Sequence, residues 1–388
     1  MGSIKDAKRR REQKRRRRRI RRLIVIFGSL FICILLVLGV CGIVRKITAP
    51  AKKEPKKKTS SEPKIDTSKV KIKNLVINTG NKEKKDSASV TISSMGDCTM
   101  GTDESFNPAT SFNAYYNMHG ADYFLKNVRS ILEKDDLSIV NFEGTLTKAT
   151  QRANKKFAFK ADPKYVDILT GSSVEAANIA NNHSSDYGEE SKTDTIKTLE
   201  DAKIASFGYE QVQLIDINGV KIGLTGIYEL AEHLAVKQQV QENITALKEA
   251  SADLIIVNFH WGMEKEYVPN DTQKTLAHLA VDEGADLVIG HHPHVLQGIE
   301  EYKGKYIAYS LGNFCFGGNS NPQDKDTMIF QQTFTFKKGK LTKDKKINII
   351  PCSISSSSGL NDYCPTPLDG EEEQRVLDKI EQYSKQIQ

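Results

Sequence analysis

Residues 74–388 lack any surplus of positive charge. The 388-residue chain is formally +7, but its basic residues are concentrated near the start. Residues 1–22 hold 13 Lys or Arg against 2 acids and residues 45–73 hold 11 against 3, which leaves residues 74–388 at −12. The folded part therefore has no basic footprint, and nucleic acid is excluded as its partner. Cysteine is sparse, with six in all, and Cys33 and Cys41 fall inside an apolar run. The other four are expected on the outer side of a membrane, where a disulfide can persist. Their neighbourhoods point first to Cys352 with Cys364, then to Cys98 with Cys315, although sequence does not fix connectivity. There is no internal repeat. From Arg45 to about Ser87 large apolar residues are few, a composition that cannot bury a core and predicts an extended tether.

What is present begins with Leu23–Val44, an uncharged apolar run long enough to cross a hydrocarbon core as a helix. The cationic cluster before it predicts a cytoplasmic N-terminus and an extracytoplasmic remainder, despite further lysines on the far side. A cleaved signal peptide fits less well, since no clear small-residue cleavage site precedes the Lys-rich segment. The expected organisation is a basic tail over 1–22, a transmembrane helix over 23–44, a disordered tether over 45–88, an α/β domain over 89–350 and an extension over 351–388 with a closing helix.

Within the domain, short apolar β-branched segments alternate with helix-like ones, which argues for a layered α/β architecture. Strands are predicted at 89–94, 137–141, 174–180, 220–227, 254–259, 287–290 and 306–310. Helices are predicted at 123–133, 163–169, 191–202, 244–250, 272–283 and 371–388. The most informative stretch is Gly290-His291-His292-Pro293-His294, three of the eight histidines directly after a predicted buried strand. Other strands also end on polar residues: Gly96-Asp97, Asn141-Phe142-Glu143-Gly144, Asn181-Asn182-His183 with Asp186, His260-Trp261-Gly262 with Glu264, and Gly312-Asn313. Open α/β sheets carry their sites at such strand ends. Oxygen and nitrogen donors without thiolates favour Mn, Fe, Zn or Mg over an iron–sulfur cluster. Singly each is weak, because Asp97 also reads as a turn residue or helix cap, Asn141 and Asn182 as loop partners, and Glu264 and Asp186 as orienting or surface acids. For His260, next to the only Trp, packing and ligation stay open.

Taken in order, these motifs resemble the CapA-like family of poly-gamma-glutamate capsule biosynthesis proteins over about residues 89–350. The resemblance implies a four-layered αββα sandwich like that of the calcineurin-like metallophosphoesterases, here preceded by one transmembrane helix. It also implies a role with an anionic surface polymer, poly-gamma-glutamate or another, alongside membrane capsule synthase subunits and the lipid bilayer. Carried over to metallophosphoesterases, Asp97, Asn141, Glu143, Asn182, His260, His292 and His294 would be metal ligands, and His183 the acid that protonates a leaving group, with Asp186 and Glu264 as further catalytic candidates. That pattern has a His two positions after its first Asp, where this chain has Thr99, and an Asp where it has Asn141 and Glu143. One divalent ion is expected, and a second stays open. The acidity of the domain calls for neutralisation of such a polymer by metal or by Lys155, Lys156 and Lys160. Three functions remain open on sequence: a metal-dependent hydrolase or transferase, a non-enzymatic accessory subunit of a polymer synthase, and a phosphoesterase acting on an unrelated external substrate.

Overall fold

The structure, a computed structural model, describes residues 65–77, 88–343 and 346–387. The expected transmembrane run and the basic tail lie outside the described residues. Among the described residues no helix is long and apolar enough to cross a membrane.

Two mixed sheets carry the domain. The seven-stranded sheet runs Lys71–Ile77 (β1), Gln211–Ile217 (β8), Val220–Tyr228 (β9), Leu254–His260 (β10), Leu287–His291 (β11), Lys305–Ala308 (β13) and Ile299–Tyr302 (β12). Its centre, β9 to β11 and on to β13, is parallel. The nine-stranded sheet runs Thr366–Pro367 (β18), Lys346–Ser353 (β17), Asp326–Lys337 (β15), Ser89–Thr99 (β2), Leu137–Phe142 (β3), Ala176–Asn178 (β6) and Ala205–Phe207 (β7). Asn313–Phe316 (β14) pairs with β2, and Lys340–Leu341 (β16) with β15. Thr145–Leu146 (β4) and Lys160–Ala161 (β5) form a separate ribbon. The longer helices are Phe112–His119 (α1), Gly188–Asp201 (α2), Lys237–Glu249 (α3), Asp271–Asp282 (α4) and Gly370–Ser384 (α5).

Strand alternation divides the apolar residues into three layers. On β10, Leu254 and Ile256 join the cluster that also takes Ile92, Leu137, Ile139 and Phe330, so this layer lies between the two sheets. Ile255, Val257 and Phe259 face the other way, onto Val240, Ile244 and Leu247 of α3 and Leu276 of α4. On β3 the residues opposite Leu137 and Ile139, namely Val140 and Phe142, pack with Phe112 of α1 and Leu199 of α2. The architecture is α/β and sandwich-like. Because the central strands are covered on both faces they read as unbroken apolar runs. Helix α4 begins on a capping box, in which Asn270 accepts from the Gln273 backbone and the Gln273 side chain accepts from the Asn270 backbone.

Several expectations need correction. The tether reading fails for Lys71–Ile77, which forms the edge strand β1 beside β8. Lys71 and Lys73 precede Leu75 and Ile77 on one side of the strand, and Leu75 and Ile77 pack on the inter-sheet core. The predicted helix at 123–133 is instead a 3-10 turn at Ala121–Tyr123 and a single helical turn at Arg129–Leu132. Strand β17 carries the second sheet past residue 350. Both disulfide pairings are overturned, since Cys98, Cys315, Cys352 and Cys364 are all buried and free. Burial pushes the Cys98 and Cys352 thiols up to about 12, so they behave as small apolar core residues.

Candidate metal centre

Two glycines allow the strand ends to approach one another. A Cβ at Gly96 would lie 2.0 Å from the Gly312 carbonyl oxygen, and one at Gly290 would lie 1.9 Å from that of Tyr309. The Asp97 backbone N–H then donates to Gly312 at 3.0 Å, and the indole of Trp261 donates to the Tyr309 carbonyl at 2.9 Å. Beyond β11 the chain turns through two left-handed residues, His292 (φ 95°) and His294 (φ 58°), on either side of Pro293. Such backbone costs about 1–3 kcal/mol per residue and persists only where its surroundings hold it.

The turn brings His292 and His294 to Glu143, and the ligating atoms of these three lie within 4.8 Å of one another. Glu143 is fully buried and neither carboxylate oxygen has a hydrogen-bond partner. Its Oε1 faces three imidazole Nε2 atoms, those of His183 at 3.8 Å, His260 at 3.9 Å and His294 at 3.8 Å. These separations are too long for hydrogen bonds. They are the spacing of atoms that share one ion at about 2.1 Å each. The Nδ1 atoms of His291 and His292 are likewise buried without partners. A buried carboxylate is left bare only at a high cost unless something completes it. The residues therefore fit a divalent cation.

Around this pocket, second nitrogens are held by carboxylates and amides. His294 Nδ1 lies 3.1 Å from Asp97 Oδ2 and 2.9 Å from Asn313 Oδ1. His183 Nδ1 lies 2.7 Å from Asp186 Oδ2. In each case the acid fixes the ring and leaves Nε2 toward Glu143, as a carboxylate does behind a metal-bound imidazole. Asp97 Oδ1 accepts from Asn141 Nδ2 at 2.8 Å, and Asn141 Oδ1 accepts from Asn178 Nδ2 at 2.8 Å. His260 Nε2 and Asn182 Oδ1, both among the expected ligands, bond to each other at 2.8 Å. Glu264 is exposed on the turn after β10 and reaches the pocket only as charge.

The electrostatics follow from burial and crowding. Burial raises Glu143 against the pull of the His294 imidazole beside it, and brings His292 down to about 3 and His291 to about 4. His260 lies well below the usual imidazole value, by burial and then by the neighbouring His292. Burial opposes charge on His294, but Glu143 and Asp97 outweigh it and hold this imidazole up to about 10. The pocket thus already collects positive charge beside Glu143, which a cation would supply while displacing that proton.

Sequence reasoning missed Asn178, which anchors Asn141, and gave Lys155 a different task. Lys155 Nζ donates to Asp186 Oδ1 and to the Asn182 carbonyl, each at 2.7 Å, and lies 3.2 Å from His183 Nδ1. No spacing signal places a loop lysine against a residue 31 positions later. Lys160 is also engaged, donating to the Ala149 carbonyl at 2.8 Å.

Residues 91–318 match the family model described as "Bacterial capsule synthesis protein PGA_cap". The chain belongs to this family. It is 33% identical over 258 residues to the capsule biosynthesis protein CapA of Bacillus anthracis, covering 60% of this chain and 61% of that protein. The PGA biosynthesis protein CapA of Bacillus subtilis (strain 168) is 34% identical over 218 residues, 51% of this chain and 57% of that one. A probable polyglutamine synthesis accessory protein of Mycobacterium tuberculosis is 27% identical over 209 residues, 46% and 55% of the two chains. The match thus spans about three fifths of the length of the two Bacillus relatives. Every strand-end motif described above lies within the matched segment.

Proposed function

We propose that this PGA_cap family member is a membrane-anchored extracytoplasmic protein of poly-gamma-glutamate capsule biosynthesis or export, acting as a metal-dependent hydrolase or transferase. The αββα layering of a metallophosphoesterase is the scaffold this reading assumes, with the anchor supplied by Leu23–Val44. The observation that carries it is Glu143, a fully buried carboxylate with no hydrogen-bond partner, ringed by imidazole nitrogens. Glu143, His292 and His294 would hold the ion, with His260, Asn182, Asn141 and Asp97 around it. A divalent cation there supplies Lewis-acid polarisation of a carbonyl or phosphoryl oxygen and activation of water. His183, held at Nδ1 by Asp186, presents Nε2 to the same pocket and would be the acid that protonates a leaving group. Lys155 fixes Asp186 and the Asn182 turn in that pose.

The test is the metal content of the purified full chain before and after chelation, with capsule formation measured in cells carrying His292→Ala with Glu143→Ala. About one equivalent of metal lost on chelation, together with loss of capsule in the variant, supports the reading. Normal capsule in a variant shown to hold no metal would remove the catalytic claim. That result would favour the accessory-subunit reading, which the description of the mycobacterial relative as an accessory protein supports. Turnover of an aryl phosphate that depends on His183 would favour a phosphoesterase acting on an unrelated external substrate.

A further inference from the structure

An aromatic wall leads from the protein surface to the metal centre. At its inner end Phe316 lies 5.3 Å from the His294 ring and Phe159 lies 4.6 Å from the His183 ring. Both phenylalanines are buried. A Cβ at Gly318 would stand 2.5 Å from Phe316 Cζ and 3.2 Å from Phe159 Cζ, so the absence of a side chain there lets both rings close in. Outward, Phe159 meets Phe157 at 6.3 Å with nearly parallel rings, and Phe106 at 6.3 Å. Phe106 and Phe157 stand edge to face at 5.5 Å and are only half-buried. The rings therefore grade from covered to open along a line that begins at the two imidazoles facing Glu143.

The charges along this wall are selective. Of the four cations in residues 152–160, three are engaged internally. Arg152 is bound to the buried Asp103 at 2.7 Å, Lys155 to Asp186, and Lys160 to the Ala149 carbonyl and over the Tyr187 ring at 4.3 Å. Lys156 is exposed, and its ammonium lies over Phe157, 5.0 Å from the ring centre. The outermost, half-buried rings and an exposed cation thus sit together. Packing alone would account for Phe159 and Phe316. It does not account for two half-open rings at the loop tips beneath an exposed ammonium.

We propose that Phe106, Phe157 and Lys156 form the entry subsite for a flexible polycarboxylate chain, whose methylene groups lie on the rings and whose carboxylate pairs with Lys156. The proposal rests on the polymer reading given above. A chain that alternates short apolar linkers with carboxylates presents the two chemistries that this wall offers. The net charge of −12 over residues 74–388 repels a polyanion at long range, so contact must come from local features such as these.

The experiment is calorimetric binding of an unlabelled γ-linked glutamate oligomer of about ten residues to the full chain in detergent, from low to physiological salt. The basic segments 1–22 and 45–73 contribute equally to every variant, so differences between variants report the wall. Phe157→Ala is expected to weaken binding about tenfold, and Phe157→Tyr to retain it. Lys156→Gln is expected to weaken binding at low salt and to lower the slope of log affinity against log salt. Metal content is expected to stay at the wild-type level in all three. Wild-type affinity in Phe157→Ala and an unchanged slope in Lys156→Gln would overturn the subsite while leaving the polymer reading intact. Absence of oligomer binding by a metal-loaded wild-type chain would overturn the polymer reading, and the subsite with it.

Discussion

Glu143 gives a prediction whose sign reverses with metal. Both of its oxygens are buried and unpaired, and such a group costs about 1–3 kcal/mol relative to a satisfied or apolar one. Methionine is unbranched, of similar length, and adapts to irregular gaps. Glu143→Met should therefore raise the stability of the chelated protein by about 1–2 kcal/mol, with part of the gain offset by imperfect packing. With metal the order should invert. An ion present at a hundred times its dissociation constant stabilises the wild type by about 2.7 kcal/mol, and the variant should lose most of that. The assay is urea unfolding of the full chain with chelator and with excess Mn or Zn, read by the fluorescence of Trp261, which packs against Phe259 with ring centres 4.3 Å apart. A chelated variant less stable than wild type by more than about 1 kcal/mol would refute the reasoning, because Glu143 would then be satisfied by the fold itself. So would equal stabilisation of both proteins by metal.

Three further outcomes are expected. Lys155→Met should destabilise by about 2 kcal/mol, since it strips the buried Asp186 of an ionic partner; Lys197→Ala at the exposed i,i+4 pair with Asp201 should cost about 0.5 kcal/mol or less in the same unfolding assay. Asp135 and Glu175 are pushed up to about 7 and about 8, mainly by burial. Their ionisation is unfavourable in the fold, so stability should fall as pH rises from about 4 to about 8 and level off above, and Asp135→Asn with Glu175→Gln should flatten that slope in pH-dependent denaturation. Gly290→Ala should cost about 3 kcal/mol or more, measured as loss of soluble folded protein, because its Cβ would stand 1.9 Å from the Tyr309 carbonyl oxygen.

The central strands were legible in the sequence because burial on both faces makes them unbroken apolar runs. Leu254–His260 and Leu287–His291 extend the predicted segments by a single residue each, their terminal histidines. Edge strands were not legible for the opposite reason. Strand β1 reads Lys-Ile-Lys-Asn-Leu-Val-Ile, and its partial exposure gives it the composition of a tether. Strand β2 runs on to Thr99, five residues beyond the predicted end, because Gly96 looks like punctuation. In the structure that glycine is the point where Gly312 crosses close to the strand. For Cys352 and Cys364, closeness in sequence stood in for geometry. Cys364 receives a hydrogen bond from the Asn127 side chain at 3.5 Å, whereas Cys352 contacts the Ile350 carbonyl on its own strand.

That the strand-end residues gather was legible because they close neighbouring strands, and Asp97, Asn141, Glu143, Asn182, His183, His260, His292 and His294 do share one connected region. Their division of labour was not legible, since two carboxylates at strand ends look alike in sequence. Asp97 is saturated by Asn141, His294 and the His292 backbone N–H, while neither carboxylate oxygen of Glu143 has a hydrogen-bond partner. The difference comes from register. Asp97 lies within β2, paired with Asn141 across to β3, so the sheet supplies that partner and the turn after β11 supplies the other two. Glu143 lies just past the end of β3, its backbone N–H still on the Cys98 carbonyl of β2, but no strand neighbour reaches its carboxylate. A strand end placed one residue beyond its last paired neighbour is thus what turns an ordinary buried acid into the open member of the group. The same step leaves Glu143 able to face imidazoles from both sheets at once.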